Sequence, residues 1–234
     1  MSGAGSDGGD GPADGRVAPD TVVFDVGEVV IDETRVWSVW AELVGVSPLS
    51  FAAVLGAGIV QGEPLAAVFA HLAPNLAWQE LESEHEQRYG GFRDDDLYPD
   101  VRPCLEELTA SGVQVLIAGN QPARRRPQLE ALGLSSTHVR TSEEFGAEKP
   151  DPGFFTAMLS LAERDDPGRV LYVGDRVDND VLAAQAAGVR TCWLRRGPWG
   201  QLQDLPEDAE EPDLVLEGLG ELPLLLHSWR QEQR

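Results

Sequence analysis

Residues 170–175, Val170-Leu171-Tyr172-Val173-Gly174-Asp175, form a short apolar run that ends at a glycine and an acid. A run of this length, apolar at almost every position, is typical of a parallel β-strand covered on both faces. The same pattern occurs at residues 21–25 (TVVFD) and, ending at an amide, at residues 113–120 (VQVLIAGN). Further runs lie at residues 189–194 and 213–216. The sequence therefore predicts five strands. The strands at residues 21–25, 113–120 and 170–175 end at polar side chains.

Helical patterns lie between these runs, at residues 101–111, 122–132, 153–164 and 179–187. Strands that alternate with helices predict an α/β fold with a doubly wound parallel sheet. Residues 33–98 break the alternation because they contain no convincing strand and show four helical patterns, at residues 34–44, 48–55, 64–72 and 76–89. We therefore expect a core formed by residues 21–32 and 99–226, and a small all-helical cap at residues 33–98 that acts as a lid.

The two ends of the chain are predicted to lie outside this core. Residues 1–20 are rich in Gly, Asp, Ala and Pro, and their few large apolar side chains cannot offset the cost of ordering, which predicts a disordered tail. Residues 227–234 are expected to form a C-terminal tail, within a terminal helix at residues 221–234 that has no chemical role.

Neither a membrane span nor a secretory signal is recognisable in the sequence. Cys104 and Cys192 are the only cysteines, too few for a disulfide framework. We therefore expect a cytoplasmic protein.

Forty acidic residues against eighteen basic ones give a formal net charge of −22. Such a surface repels nucleic acid and anionic lipid, so we expect neither a nucleic acid nor a membrane as partner. An anionic substrate then needs a local positive centre. Lys149 is the only lysine among the eighteen basic residues, and its compact ammonium suits a place beside an anion. The sequence carries no signal of oligomeric state.

Polar residues at the predicted strand ends form a candidate site, because ligands of an open α/β sheet bind at the carboxyl edge of its strands. Converging carboxylates repel one another unless a cation joins them, and a few hard oxygen ligands suit Mg²⁺. A carboxylate in line with phosphorus can attack it and form an acyl phosphate, while a lysine and the metal stabilise the transferring oxygens. We assign Asp178 to the acidic first turn of a helix. The remaining candidates are Asp25, Gly119, Asn120, Lys149, Asp175 and Asp180.

Four segments resemble, in order, the motifs of the haloacid dehalogenase superfamily: residues 24–30 (FDVGEVV), 117–120 (IAGN), 149–152 (KPDP) and 174–180 (GDRVDND). The resemblance runs from about residue 21 to residue 226. It implies a magnesium-dependent phosphatase that acts on a small phosphorylated metabolite through an aspartyl-phosphate intermediate. The insertion at residues 33–98 is similar to the helical cap of the family's phosphatases and dehalogenases.

The resemblance also implies roles for individual residues. Asp25 is then the nucleophile and a metal ligand, and the backbone carbonyl of Gly27 is a second ligand. Lys149 steadies the nucleophile and the phosphoryl group. Asp175 binds the metal directly, and Asp180 binds it directly or through water.

Two positions depart from the family's pattern. Most phosphatases of the family carry a second Asp, the general acid and base, where this chain has Gly27. Their second motif usually offers Ser or Thr to the phosphoryl oxygen where this chain has Gly119, and backbone amides at Gly119 and Asn120 would have to bind phosphate instead. Losing a general acid costs a factor of roughly 10²–10⁴, which favours good leaving groups such as anomeric or acyl phosphates. We name Glu28 as a candidate replacement acid.

Two alternative functions stay open. Gly27 and Gly119 favour a catalytically weak or degenerate member that binds a phosphorylated ligand or partner without turning it over. A 2-haloacid dehalogenase is less favoured, because those relatives usually carry Tyr where Gly27 lies and need no metal. Three arginines at residues 124–126 could contact substrate, but we assign them to a solvated helix face.

Overall fold

The predicted doubly wound parallel sheet is confirmed by a computed structural model, which describes residues 17–231. Six strands run parallel in the order β3-β2-β1-β4-β5-β6. Phe24 of β1 lies opposite Ile117 of β2 and Val173 of β4, so these three strands end side by side. The strands are β1 Thr21–Phe24, β2 Gln114–Gly119, β3 His138–Thr141, β4 Val170–Gly174, β5 Arg190–Leu194 and β6 Leu214–Leu216.

Eleven α-helices accompany the sheet within the described residues. They are α1 Thr34–Val44, α2 Pro48–Val60, α3 Leu65–Leu72, α4 Glu82–Tyr89, α5 Val101–Ala110, α6 Arg126–Ala131, α7 Ser142–Phe145, α8 Pro152–Ala162, α9 Leu182–Ala186, α10 Gly197–Leu202 and α11 Leu222–Gln231.

Most predicted helices are present, with shifted ends. Helix α2 continues five residues beyond its predicted end, and the predicted helix at residues 76–89 begins with a separate 3₁₀ turn, Trp78–Leu81, ahead of α4. The short helices α7 and α10 were not predicted, because four to six residues carry too little periodicity to recognise.

Alternate side chains of the central strands β1, β2 and β4 pack into two separate hydrophobic layers. Val22 and Phe24 of β1 lie in the layer that contains α5 and α11, whereas Val23 lies in the layer of α8. Both layers are buried, which is why the strand sequences show continuous apolar runs rather than alternation. The sheet is therefore covered by helices on both faces.

Helices α1–α3 and the 3₁₀ turn Trp78–Leu81 form a third hydrophobic cluster, against which Trp199 of α10 also packs. Trp40 of α1 stacks on His85 of α4, with ring centroids 4.2 Å apart, and meets Phe69 of α3 edge-on at 5.0 Å. Trp37 of α1 contacts Trp199 of α10, at 5.9 Å between centroids. The helical segment, residues 33–98, thus packs against the sheet domain through α10.

Strand β3 was missed by the sequence patterns. It lies at the edge of the sheet, where His138 is exposed and Arg140 is half-buried. Only Val139 and Thr141 face the interior, so the stretch HVRT lacks the continuous apolar run of the central strands.

Both predicted tail boundaries need correction. Residues 1–16 lie outside the described residues, but Ala18 is buried and the Asp20 carboxylate accepts hydrogen bonds from Arg164 (2.8 Å) and Arg169 (3.0 Å). At the other end, α11 runs through the predicted boundary at residue 227. Trp229 is 2% exposed, and the Arg230 guanidinium donates to the carbonyl of Pro19 at 3.2 Å. Residues 17–20 and 227–231 therefore belong to the packed structure.

Among residues 17–231 no single helix is long and apolar enough to cross a membrane. The consecutive helices α1 and α2 pass on combined length and composition, but a bend of 107° separates them. The thiols of Cys104 and Cys192 are free and buried.

We predict that Trp229→Ala lowers the free energy of unfolding by about 3–5 kcal/mol, the usual cost of removing a buried aromatic ring. The ring is buried beneath the Arg190 guanidinium, 4.5 Å from its centroid. Leu224→Ala on the same helix removes a 65% exposed side chain and is expected to change stability by less than about 0.5 kcal/mol. Urea unfolding followed by far-ultraviolet circular dichroism measures both, and equal effects would show that α11 does not belong to the core.

Candidate active site

Three aspartates converge at the carboxyl edge of the sheet. Asp25 directly follows β1, Asp175 directly follows the neighbouring strand β4, and Asp180 lies on the turn ahead of α9. One carboxylate oxygen from each lies within 4.8 Å of the others, and all three residues are buried. A β-carbon on Gly174 would overlap the Asp180 side chain, so the glycine permits this approach. The structure thus brings together three of the predicted site residues, here called the acidic cluster.

The Lys149 ammonium lies within the acidic cluster. Its Nζ is 3.0 Å from Oδ2 of Asp25 and 2.5 Å from Oδ1 of Asp180, and the side chain is 2% exposed. Burial alone would lower the pKa of Lys149, but Asp180 and Asp25 raise it well above its ordinary value. Lys149 therefore carries its charge in the buried site.

Asn120 fixes the loop that carries Lys149. Its side-chain amide donates to the backbone carbonyl of Lys149 at 2.9 Å, and its Oδ1 accepts from the backbone N–H of Lys149 at 2.8 Å. The side chain is thus engaged at both ends, so it positions the lysine. Phosphate binding by backbone groups at Gly119 and Asn120 stays a prediction.

Burial and mutual repulsion oppose ionisation of the acidic cluster. Burial, followed by the charges of Asp180 and Asp25, raises the pKa of Asp175 well above its ordinary value. Burial raises the pKa of Asp25 to about 6, against the opposing charge of Lys149. Within residues 17–231, Oδ2 of Asp175 is buried without a hydrogen-bond partner.

These residues fit a divalent metal ion. Three carboxylates and one ammonium sum to a charge of −2 when all are ionised, which a divalent cation balances. Closely spaced carboxylate oxygens are hard ligands of the type that such ions prefer. The ion would also give Oδ2 of Asp175 a partner. Gly27, predicted to contribute a carbonyl ligand, lies on the wall of the same cavity.

A cavity of about 450 Å³ adjoins the acidic cluster and extends to the helical segment. Trp37 of α1 and Trp199 of α10 form an aromatic wall on one side. Arg176 lies over Trp199, 5.0 Å from its ring, and donates to the Asp178 carboxylate at 2.7 Å. Asp178 is therefore ion-paired at the rim, in keeping with a structural role. The size and mixed lining of the cavity are typical of a site for a small molecule.

Each of the two unusual glycines leaves space that an acidic side chain fills. A β-carbon on Gly119 would overlap Oδ1 of Asp25. A β-carbon on Gly27 would lie 2.5 Å from Oε1 of Glu33. The absence of side chains at positions 119 and 27 is therefore matched by the packing of the site.

Glu28, the acid named from the sequence, is engaged elsewhere. It is buried, its Oε2 accepts from the Tyr98 hydroxyl at 2.5 Å, and its Oε1 accepts from the backbone N–H of Glu33 at 3.3 Å. Glu33 itself was missed, because an acid just ahead of a helix is expected to stabilise the helix N-terminus. Its side chain instead lines the cavity and makes no capping hydrogen bond. Burial, followed by the charges of Glu28 and Asp25, raises the pKa of Glu33 to about 8.

The arginines assigned to a solvated face include a buried one. Arg125 is 6% exposed, donates to Glu86 of α4 at 2.6 Å and lies over the ring of Tyr89 at 4.9 Å. Arg124 reaches the same glutamate at 3.4 Å. The solvated-face prediction is therefore wrong for Arg125, which ties the helical segment to the sheet domain.

We predict that Asp175→Asn stabilises the metal-free protein, because it removes one of three mutually repelling buried charges. In EDTA at pH 7.5 the Tm should rise by roughly 2–4 °C, or about 1 kcal/mol for a protein of this size. The pKa of Asp175 in the folded state is raised, so its ionisation opposes folding above about pH 4. The advantage of the variant should therefore shrink as the pH falls toward 4.

Calorimetry with added Mg²⁺ completes this test. The wild-type Tm should rise with ion concentration, because a ligand that binds only the folded state stabilises it, whereas Asp175→Asn should lose most of that rise. Asp95→Asn, at an exposed position, is the matched control and should follow the wild type. A variant that is less stable than the wild type in EDTA would contradict the proposed repulsion.

Residues 19–188 match the family model described as haloacid dehalogenase-like hydrolase. Glyceraldehyde 3-phosphate phosphatase of Methanopyrus kandleri is 30% identical over 153 residues, which cover 64% of this chain and 63% of that protein. Phosphoglycolate phosphatase 1 of Pseudomonas aeruginosa is 34% identical over 130 residues, 54% of this chain and 46% of that protein. Phosphoserine phosphatase of Thermus thermophilus is 35% identical over 130 residues, 54% and 49% of the two chains. The matched part thus spans about half to two thirds of these curated relatives.

Solved structures share the fold across most of the chain. HAD-hydrolase YfnB from Bacillus subtilis, in a magnesium-bound crystal form, aligns with a TM-score of 0.66 and 19% identity, covering 90% of this chain and 99% of that one. L-2-haloacid dehalogenase from Xanthobacter autotrophicus aligns with a TM-score of 0.63 and 22% identity, covering 89% and 98%. The family model covers well over half of the sequence, and the chain therefore belongs to the haloacid dehalogenase-like hydrolases.

Proposed function

We propose that this protein is a magnesium-dependent phosphatase that hydrolyses a small phosphorylated metabolite through an aspartyl-phosphate at Asp25. The observation that carries the proposal is the Lys149 ammonium between Asp25 and Asp180, beside the unpartnered Oδ2 of Asp175. This arrangement combines a nucleophile, a fixed positive charge and a carboxylate oxygen suited to bind a metal in one cavity. The curated relatives named as phosphatases and the magnesium in the YfnB structure support the same chemistry.

Asp25 is the group placed to attack phosphorus. Its Oδ2 is held by Lys149, its carboxylate accepts a hydrogen bond from the backbone of Val26, and its Oδ1 fills the space beside Gly119. A carboxylate restrained in this way loses little freedom when it reacts. Its attack forms an oxygen–phosphorus bond and breaks the ester bond, and hydrolysis of the resulting acyl phosphate releases inorganic phosphate.

Asp25, Asp175 and Asp180 would hold the Mg²⁺, with the backbone carbonyl of Gly27 as a further ligand. When bound, the ion supplies positive charge to the phosphoryl oxygens and to the acidic cluster. Lys149 contributes a second positive charge that is already in place before substrate arrives. Together they supply the local attraction for an anion that a chain with a net charge of −22 requires.

The helical segment, residues 33–98, is proposed as a cap that covers the cavity and contacts the leaving group. Trp37 on α1 faces the cavity beside Trp199, so a movement of the segment would change the aromatic wall. The ion pair between Arg125 and Glu86 holds the segment on the sheet domain at a second point. Selection of the substrate would therefore depend on the helical segment as well as on the acidic cluster.

Asp25→Asn is expected to reduce phosphate release by at least about 10³-fold, because the amide removes the nucleophile while keeping its shape. The measurement is inorganic phosphate released from sugar 1-phosphates, acyl phosphates and p-nitrophenyl phosphate, with Mg²⁺ or with EDTA. Asp95→Asn is the control with wild-type turnover. If folded wild-type protein that binds Mg²⁺ released no phosphate from any ester, the binding-only alternative would replace the enzyme.

Gly119→Ser, which restores the family's usual hydroxyl, is expected to lower kcat by at least about 10-fold rather than raise it. The added β-carbon would displace Oδ1 of Asp25, and small misplacements of a reacting group are costly. Gly119→Ala should act similarly, whereas Gly220→Ala, with no atom within 4 Å of the new β-carbon, should leave turnover unchanged. Higher activity in Gly119→Ser would show that the hydroxyl outweighs the displacement.

A further inference from the structure

Glu33 places a carboxyl group in the cavity with no structural task assigned to it. It occupies the N-cap position of α1, but its side chain makes no capping hydrogen bond. Within residues 17–231 its carboxyl has neither a hydrogen-bond partner nor an ion-pair partner. It lines the same cavity as Asp25 and Lys149. A half-buried acid without a partner is costly to keep in a fold, which calls for an explanation from function.

The space that Glu33 occupies is created by Gly27. A β-carbon at position 27 would lie 2.5 Å from Oε1 and 2.9 Å from Cδ of Glu33. The carboxyl therefore sits where a side chain two residues beyond the nucleophile would begin. Residue 27 and residue 33 cannot both direct a side chain into this place without one of them moving.

Other acids on the cavity wall are already engaged. Glu28 accepts from Tyr98 and from the backbone of Glu33. Asp178 is bound by Arg176, and Glu63 lies 3.4 Å from His71. Among the described residues that line the cavity outside the acidic cluster, Glu33 is thus the acid left free to exchange a proton with a bound molecule.

We propose that Glu33 is the catalytic acid and base of this protein, which protonates the departing oxygen of the substrate and later deprotonates the attacking water. This inference rests on the proposed phosphatase function and gives Glu33, instead of the engaged Glu28, the role that the family's usual second Asp would have at position 27. With such an acid, the chain is not limited to acyl or anomeric phosphates. Phosphate esters of ordinary alcohols, whose alkoxides leave poorly unless protonated, are then the substrates that need Glu33 most.

The proton balance closes over two steps. In the first, Asp25 forms a bond to phosphorus, the bond between phosphorus and the ester oxygen breaks, and the proton of the Glu33 carboxyl passes to that oxygen to give the alcohol. In the second, water transfers a proton to the Glu33 carboxylate and its oxygen bonds to phosphorus as the bond to Asp25 breaks. Inorganic phosphate leaves, and both carboxyl groups return to their starting states.

The test compares Glu33→Gln with the wild type on esters of decreasing leaving-group quality: acetyl phosphate, p-nitrophenyl phosphate and an alkyl phosphate such as glycerol phosphate. Because kcat/KM reports the first bond cleavage, it should fall roughly 10²–10⁴-fold for the alkyl ester and stay within about 3-fold for acetyl phosphate. The second step also loses its base, so p-nitrophenyl phosphate should show a burst of about one equivalent of p-nitrophenol. Glu42→Gln, an exposed acid on the same helix, is the matched control with wild-type kinetics.

A double variant tests the position of the carboxyl independently of the helix. Glu33→Ala should show the same selective loss as Glu33→Gln, and adding Gly27→Asp should restore turnover of the alkyl ester, because the new carboxyl enters the vacated space. The Gly27→Asn and Glu33→Ala pair has the same shape without the acid and should not restore it. Failure of the carboxyl at position 27 to recover more activity than the amide would overturn the proposal.

The two proposals fail in different ways. Equal losses in Glu33→Gln for all esters, or no loss for any, would remove Glu33 from proton transfer and leave the phosphatase intact, provided that Asp25→Asn is inactive. Turnover that survives in Asp25→Asn would instead overturn the proposed function, whatever Glu33 does.

Discussion

Repulsion among buried carboxylates is the constraint on which the site depends. The acidic cluster is buried, with one oxygen from each of Asp25, Asp175 and Asp180 within 4.8 Å of the others. Negative charges held so close together away from water are stable only when cations offset them. Lys149 offsets one of the three negative charges, and a divalent cation would balance the remaining charge of −2. The site is therefore incomplete by itself. Its charge and its closely spaced oxygens fit a divalent cation, which under the proposed function would in turn attract a phosphoryl group.

The sheet explains why these groups meet. In the strand order β3-β2-β1-β4-β5-β6, successive connections lead outward in one direction from β1 and then in the other, so the crevice between β1 and β4 is a topological switch point. Asp25 and Asp175 are the first residues beyond these two strands. Neighbouring β2 ends at Gly119, and Asn120 follows it to fix the loop of Lys149. Residues far apart in sequence thus meet because parallel strands end at one edge.

Features that depend on a local pattern could be predicted, and features that depend on packing could not. Continuous apolar runs that end at polar residues were enough to place β1, β2 and β4 and to bring Asp25 and Asp175 together. Lys149 follows no such run and was singled out as the one lysine of the chain and by the family resemblance. Strand β3 was not predicted, because it buries only two of its four residues and contains the polar His138 and Arg140. Arg125 resembles its exposed neighbours in sequence, and only the rings of the helical segment distinguish it. Glu33 could not be recognised from the sequence, because the position of its carboxyl group in the cavity depends on the absence of a side chain at Gly27.

Several buried or half-buried acids of the site each lie against a glycine. A β-carbon on Gly119, Gly174, Gly27 or Gly197 would overlap or crowd, respectively, Asp25, Asp180, Glu33 or Glu28. The carboxyl groups can therefore lie this deep because the backbone facing each of them carries no side chain. A glycine at a position where relatives carry a functional side chain usually suggests a lost function. Here the position without a side chain, Gly27, is the one that the carboxyl of Glu33 approaches. The site therefore keeps an acid at this place, contributed by a different residue.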